Sequence, residues 1–260
     1  MPVLHSASRQ AFDRKSISLP HFLFKAKNKK FQTSLTPRNY SIGCAKEQGA
    51  DGQPAMTKRE KLFVFDIGNV FVKLDPVSRD SAVARADDPA SSKRYRDVPR
   101  AVFRDFCRGH MAEADYVQAL TEVFGVPADA VYAAEHAYVA QSIPGFIEVA
   151  RRLKDRYRMV CLSNNQAIHW RYINDNILGS GYFDREYLSQ GMGLEKPDPA
   201  IFRALAEAED CTGKDVVFVD DIEENILAAR AAGWQHCIHH RDPIETAQML
   251  EAIASDHIQN

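Results

Sequence analysis

The sequence predicts an α/β fold: a doubly wound parallel sheet with an inserted helical cap. Three observations carry that expectation. Short apolar runs stop abruptly at polar residues, helical patterns alternate with those runs, and the stretch between the first two runs is too long for a single crossover.

The first run, Lys61-Leu62-Phe63-Val64-Phe65, ends at Asp66; so short and continuously apolar a segment suits a parallel strand buried on both faces. Two runs of the same kind follow. Arg158-Met159-Val160-Cys161-Leu162 ends at Ser163-Asn164, and Asp215-Val216-Val217-Phe218-Val219 ends at Asp220-Asp221. His236-Cys237-Ile238 closes the sheet, and a segment near Tyr187-Leu188 adds a further strand. Helical periodicity covers residues 147–154, 199–208 and 224–232, the last stopped by Gly233. Residues 76–143 read as helical, with periodic stretches at 101–107, 112–124 and 128–139, and Pro144-Gly145 marks the return to the sheet. The expected organisation is a core of residues 58–75 and 144–260 carrying a helical cap of residues 76–143.

Residues 1–57 differ from the rest: rich in Ser, Lys, Arg and Asn, they show no sustained apolar period and read as a largely disordered tail. Two origins fit this composition, an organellar transit segment or an overlong start ahead of Met56. Residues 1–55 hold nine Lys/Arg against three Asp/Glu, a balance of +6 that leaves −8 for the remainder of a chain whose net charge is −2. An acidic body argues against a nucleic-acid-binding surface. No apolar run approaches the ~18 residues of a membrane span. The five cysteines, Cys44, Cys107, Cys161, Cys211 and Cys237, are scattered without metal or disulfide spacing, as in a reduced, cytoplasmic protein. Cys107 and Cys161 read as core packing.

In an open parallel sheet, ligands bind beyond the carboxyl ends of the strands. There the sequence places Asp66, then Ser163 and Asn164, then Lys196, then the Asp220-Asp221 pair. This order supplies a nucleophile, hydrogen-bond donors, a fixed cation and a carboxylate pair. A carboxylate repels a phosphate, so Asp66 attacks only where charge is neutralised. Mg²⁺ prefers hard oxygen ligands, and Asp66 and Asp220 suit it, with Asp221 as a further or water-mediated ligand. Lys196, Ser163 and Asn164 would stabilise charge on a transferring phosphoryl group, and Asp is an established covalent nucleophile in such transfers. The expected partner is therefore a small-molecule phosphate ester.

The wording of these segments resembles the haloacid dehalogenase (HAD) superfamily. Phe63-Val64-Phe65-Asp66-Ile67-Gly68-Asn69-Val70 matches its first motif and Cys161-Leu162-Ser163-Asn164 its second. Lys196 before Pro197 matches the third, and Val217-Phe218-Val219-Asp220-Asp221 the fourth. The resemblance covers about residues 58–250 and implies a Rossmann-like core with a C1-type cap. A narrower likeness, to the bacterial α-D-glucose-1-phosphate phosphatase group, rests on residues 65–70 and 187–197, with Arg108-Gly109-His110 and Tyr116 in the cap. It implies a sugar phosphate such as glucose 1-phosphate as substrate.

Gly68 departs from the family pattern. Most phosphatases of the superfamily carry a second Asp two residues after the nucleophile as general acid and base. The Gly68 carbonyl can still ligate Mg²⁺, since that contact uses the backbone, but proton donation to the leaving oxygen must come from a cap group or water, or be unnecessary for a good leaving group such as an anomeric phosphate. Gly68 also keeps open a 2-haloacid dehalogenase, which needs no proton for halide, and a weakly catalytic phosphate-binding regulator.

Among the remaining polar residues, Arg100, Arg104 and Arg108 recur every four positions and read as a solvated helix face, with Arg108 the one expected to reach substrate. His110 is ambiguous in the same way. His169 lies too far past Asn164 to act as a base, and His239-His240 read as surface residues. Asn225 is expected to brace the Asp220-Asp221 loop, and Glu223 and Glu224 to occupy a first helical turn.

Overall fold

The structure, a computed structural model, describes residues 59–84 and 94–256; the tail assigned above to residues 1–57 lies outside them. The chain runs through β1 (Arg59–Phe65), β2 (Val72–Lys73), α1 (Pro76–Ala82), α2 (Arg100–Cys107), α3 (Glu113–Phe124), α4 (Ala128–Tyr138) and β3 (Gln141–Ser142). It continues through α5 (Pro144–Lys154), β4 (Tyr157–Ser163), α6 (Ala167–Ile173), β5 (Arg185–Leu188) and α7 (Ser189–Met192). The last elements are α8 (Pro199–Ala208), β6 (Val216–Asp220), α9 (Glu223–Ala231), β7 (His236–His239) and α10 (Pro243–Asp256). The main sheet has the order β5-β4-β1-β6-β7, and all four of its pairings are parallel.

Both faces of this sheet are covered, which is why its strands read as unbroken apolar runs rather than alternating ones. Phe63 and Phe65 of β1, Met159 and Cys161 of β4, and Val217 and Val219 of β6 face one cluster. Leu62 and Val64, Val160 and Leu162, and Val216 and Phe218 face the other. α5 covers the first face with Phe146, Val149, Ala150 and Leu153, an i, i+3, i+4, i+7 stripe, and α10 adds Leu250 and Ala254. Ile201, Phe202 and Leu205 of α8 and Ile226 and Ala229 of α9 cover the second. α8 begins where Asp198 accepts a hydrogen bond from the Ala200 N–H and Pro199 takes the first helical position.

The helices α1–α4 add nothing to the sheet. The chain leaves it along β2 and returns along β3, and these two short strands pair antiparallel, Val72 opposite Ser142. The insertion has its own apolar cluster, in which Phe106 and Tyr116 stack at 4.1 Å between ring centroids beside Leu120, Phe124 and Val131. Ile168 of α6 joins this cluster and ties the insertion to the sheet domain.

The periodicity had not marked α1, α6 or α10. α1 is polar and buries none of its residues; its first turn is capped by Asp75, which accepts from the Val77 and Ser78 N–H groups. Contrary to the surface expectation, His240 is buried. β7 ends at His239, and the chain turns so that the His240 ring packs against Phe146 at 5.0 Å with Nδ1 2.9 Å from Thr246 Oγ1. His239 is half-buried, its Nε2 3.0 Å from the Asp221 carbonyl oxygen. No helix among the described residues is long and apolar enough to cross a membrane.

Candidate active site

β1 lies between β4 and β6, so the chain winds outward from it in both directions and leaves a crevice past the strand ends. Asp66 follows β1 directly, and its N–H donates to the Val219 carbonyl at 2.9 Å. The next turn is tight: the N–H groups of Val70, Phe71 and Val72 all point at the Ile67 carbonyl. Asn69 adopts φ +52°, a left-handed conformation that Asn tolerates better than most residues. From there its Nδ2 donates to Asp221 Oδ2 at 2.9 Å, joining the ends of β1 and β6.

Lys196 is buried between two carboxylates, with Nζ 2.9 Å from Asp66 Oδ1 and 2.5 Å from Asp220 Oδ2. Burial pushes the Asp66 carboxyl up to about 6, against the pull of Lys196 and with the push of Asp220. Burial also works to lower Lys196, but the carboxylates of Asp66 and Asp220 outweigh it and raise the ammonium above its ordinary value. Asp220 accepts further hydrogen bonds from the Ile222 N–H and from Asn225 Nδ2, each at 2.9 Å, so Asn225 braces this loop as the sequence implied. Glu223 and Glu224 occupy the first turn of α9.

The carboxylates of Asp66, Asp220 and Asp221 each place an oxygen within 4.8 Å of the others. Three carboxylates against one ammonium leave two negative charges uncompensated. A hard divalent cation with oxygen ligands matches that deficit, so these residues fit Mg²⁺. Gly68 lines the same cavity, of about 270 Å³, together with Asp66, Ser163, Lys196 and Asp221.

Two side chains expected at the substrate, Asn164 and Arg108, have partners within the protein. The Asn164 side chain is committed elsewhere: its Nδ2 donates to the Lys196 carbonyl at 2.7 Å and its Oδ1 accepts from the Lys196 N–H at 2.8 Å. Its amide therefore positions the lysine, while the residue also lines the cavity beside Ser163. Arg108 is not in the cavity wall. As the residue capping α2, it turns toward the chain after α7 and pairs with Glu195 at 2.7 Å. The arginine in the wall is Arg79 of α1, whose guanidinium lies between the rings of Tyr95 and Tyr138 at 4.1 and 4.0 Å. Cys107 also lines the cavity, but burial pushes its thiol up to about 12, so it is an unreactive wall group.

His169 lines the cavity too, contrary to the expectation that it lies out of range. It belongs to a buried polar group that the sequence reading missed. Glu135 of α4, wholly buried, accepts from Tyr116 Oη at 2.7 Å and Gln166 Nε2 at 3.0 Å, and lies 2.6 Å from His169 Nε2. One signal was present: Val131, Ala134, Glu135 and Tyr138 share one face of α4, so a carboxylate sits in an otherwise apolar stripe. At Gly68 a Cβ would lie 3.0 Å from Leu74 Cδ1, the end of a flexible side chain that gives way by a few tenths of an ångström.

The model of the haloacid dehalogenase-like hydrolases matches residues 60–233. The chain belongs to that family. Among curated relatives it is 24% identical to a drimenol cyclase of Aspergillus calidoustus, over 75% of this chain but only 37% of that protein's length. It is 23% identical to a sesquiterpene phosphatase of Aspergillus oryzae, over 74% of this chain and 96% of that one. Identity is also 23% with a D-ribitol-5-phosphate phosphatase of Bacteroides thetaiotaomicron, over 67% and 89% of the two chains. A similar fold is seen in a HAD family enzyme of Bacteroides thetaiotaomicron solved with magnesium and inorganic phosphate. Its TM-score is 0.61 at 23% identity, over 70% of this chain and 94% of that one.

Proposed function

We propose that this hydrolase is a magnesium-dependent phosphatase acting on a small phosphate monoester through a phosphorylated Asp66. The supporting observation is the charge balance at the strand ends, one buried lysine among three carboxylates. Asp66, Asp220 and Asp221, with the Gly68 carbonyl, would hold Mg²⁺, which supplies charge neutralisation for the incoming phosphate. An Asp66 carboxylate oxygen attacks phosphorus and the ester P–O bond breaks. Water then attacks the phosphorus of the acyl phosphate and frees Asp66. Lys196 and Ser163 bind and orient the phosphoryl oxygens. The helical insertion serves as the cap that closes the site from water.

The likeness to glucose-1-phosphate phosphatases and the ribitol-phosphate relative support a sugar phosphate. A second reading comes from the cavity wall beyond the carboxylates, where Leu74, Phe103, Tyr138, Val139 and Ile173 are apolar or aromatic. Such a wall suits an ester with an apolar organic group, in keeping with the sesquiterpene phosphatase relative.

The test is phosphate release from hexose 1- and 6-phosphates, pentitol phosphates and prenyl phosphates, with Mg²⁺ or with a chelator. Release should require Mg²⁺ and disappear in Asp66→Asn. Full turnover in Asp66→Asn would sink the proposal, and halide release from a 2-haloacid in chelator would point to dehalogenation instead.

A further inference from the structure

We propose that Glu135 and His169 form an acid–base dyad in which His169 Nδ1 protonates the leaving oxygen of the ester, the task left open by Gly68. This rests on the phosphatase reading above.

The geometry begins with Glu135. A fully buried carboxylate in a helix face is costly unless hydrogen bonds satisfy it, and an apolar residue of similar size would pack there at least as well. Here Tyr116, Gln166 and His169 all converge on it, at 2.7, 3.0 and 2.6 Å. Burial works to raise this carboxyl, yet the hydrogen bond and charge of His169, with Tyr116 and Arg79, hold it below the ordinary glutamate value. An ionised carboxylate only accepts hydrogen bonds, so Nε2 of His169 carries a proton and the tautomer is fixed. Nδ1 is the remaining ring nitrogen, and it has no hydrogen-bond partner among the described residues. The ring stands in the wall of the cavity that holds Asp66 and Lys196, beside Tyr138 at 5.3 Å between centroids. With Nδ1 also protonated, the imidazolium is stabilised by the Glu135 carboxylate, the role a buried acid plays behind a catalytic histidine.

The core offers no carboxylate of its own at this position, because residue 68 is a glycine. The dyad draws Glu135 from the insertion and His169 from α6 of the sheet domain, so it is complete only when the two are packed together.

The proton balance closes over the two steps. As the bond from Asp66 to phosphorus forms and the ester P–O bond breaks, the electron pair on the leaving oxygen takes the Nδ1 proton and an alcohol departs. The Nδ1 lone pair then takes a proton from the water that attacks phosphorus, as the P–O bond to Asp66 breaks. Ester and water become alcohol and phosphate, and His169 returns to its starting state. Glu135 acts through His169 and is a positioning residue.

The test compares His169→Gln and Glu135→Gln with the unchanged chain on two esters, a simple alkyl phosphate and p-nitrophenyl phosphate, in Mg²⁺. An alkoxide needs a proton to leave and p-nitrophenolate does not. General acid catalysis contributes ~10²–10⁴-fold. The ratio of kcat on p-nitrophenyl phosphate to kcat on the alkyl phosphate should rise by at least ~10² in His169→Gln, and less in Glu135→Gln. An unchanged ratio in a folded His169→Gln protein overturns the dyad while leaving the phosphatase reading intact. If Glu135→Gln fails to fold, the His169 variant decides the question alone. No phosphate release by the unchanged chain from either ester overturns the phosphatase reading, and the dyad with it.

Discussion

Replacing Lys196 with methionine removes the ammonium between Asp66 and Asp220 and keeps most of the side chain's volume. The lysine side chain is 1% exposed, and its Nζ lies 2.9 Å from one carboxylate and 2.5 Å from the other. Without it, two buried carboxylates face each other with Asp221 close by and no cation. Removing one partner of a buried ion pair costs ~3–5 kcal/mol, because the abandoned charge stays desolvated. At ~2–4 °C per kcal/mol for a domain of this size, the chelated variant should melt ~6–20 °C below the unchanged protein. Mg²⁺ held by the same carboxylates, as proposed, should raise the melting temperature of the variant more than that of the unchanged chain, by mass action on a more negative site. Adding Asp220→Asn to the variant should restore part of the loss, since one of the two stranded charges disappears. Thermal melts of the three proteins, each in chelator and in excess Mg²⁺, measure all of this. A Lys196→Met protein that melts within ~2 °C of the unchanged chain in chelator would show that the lysine does not hold these charges together, and the charge argument for Mg²⁺ would fail with it.

The Asp66 carboxyl, raised from 3.8 to about 6, makes metal-free stability depend on pH. The folded form binds the proton more tightly than the unfolded form, so the contribution is full below about 4 and is lost as pH rises through about 6. Chelated protein should lose ~3 kcal/mol over that window, and a Mg²⁺-induced rise in melting temperature should be larger above it than below it. Asn225→Ala removes the amide that orients Asp220 at 2.9 and 3.1 Å and should weaken Mg²⁺ ~10–100-fold, read from the Mg²⁺ dependence of phosphate release. Gly109→Ala places a Cβ 2.2 Å from the Gln190 carbonyl at a residue with φ +71°. The cost should be at least ~1–3 kcal/mol in a denaturant melt, since the insertion contacts the sheet domain there.

The strands were legible because burial on both faces leaves a simple mark, an apolar run cut short by a polar residue. The polar residues at their ends, to which the chemistry is assigned, were legible for the same reason: Asp66, Ser163 and Asp220 each close such a run. What the sequence hid depends on which face a side chain takes and which partner it finds. The Arg100, Arg104, Arg108 period marks a helix face but not what lies opposite, and the structure puts Glu195 there for Arg108. Arg79, in a short polar helix with no apolar period, carried no signal of its own, yet it is the arginine in the cavity wall. Asn164 reads as a phosphate donor beside Ser163, but its amide closes two hydrogen bonds to the backbone of Lys196 across 32 positions of sequence.

This division has a physical cause. Asp66, the proposed nucleophile, with Lys196 and the carboxylates of Asp220 and Asp221, belongs to strand ends and loops of one sheet, so their spacing in the sequence follows from the strand order. The groups proposed to meet the organic part of the ester come from the junction of the insertion and the sheet domain. Arg79 and Tyr138 belong to the insertion, and His169 and Ile173 to α6. No spacing rule within one element brings them together. Ser189 is the clearest case: its buried hydroxyl donates to the Cys107 carbonyl at 2.6 Å and accepts from the Asn165 N–H at 3.1 Å. It fastens the end of α2 to the loop after β4, where the sequence shows only a serine after a strand. A chain of this family can therefore keep its phosphoryl-transfer residues in recognisable order while its leaving-group contacts change with the packing of the insertion. Substrate class must then be read from the wall that the two units form together.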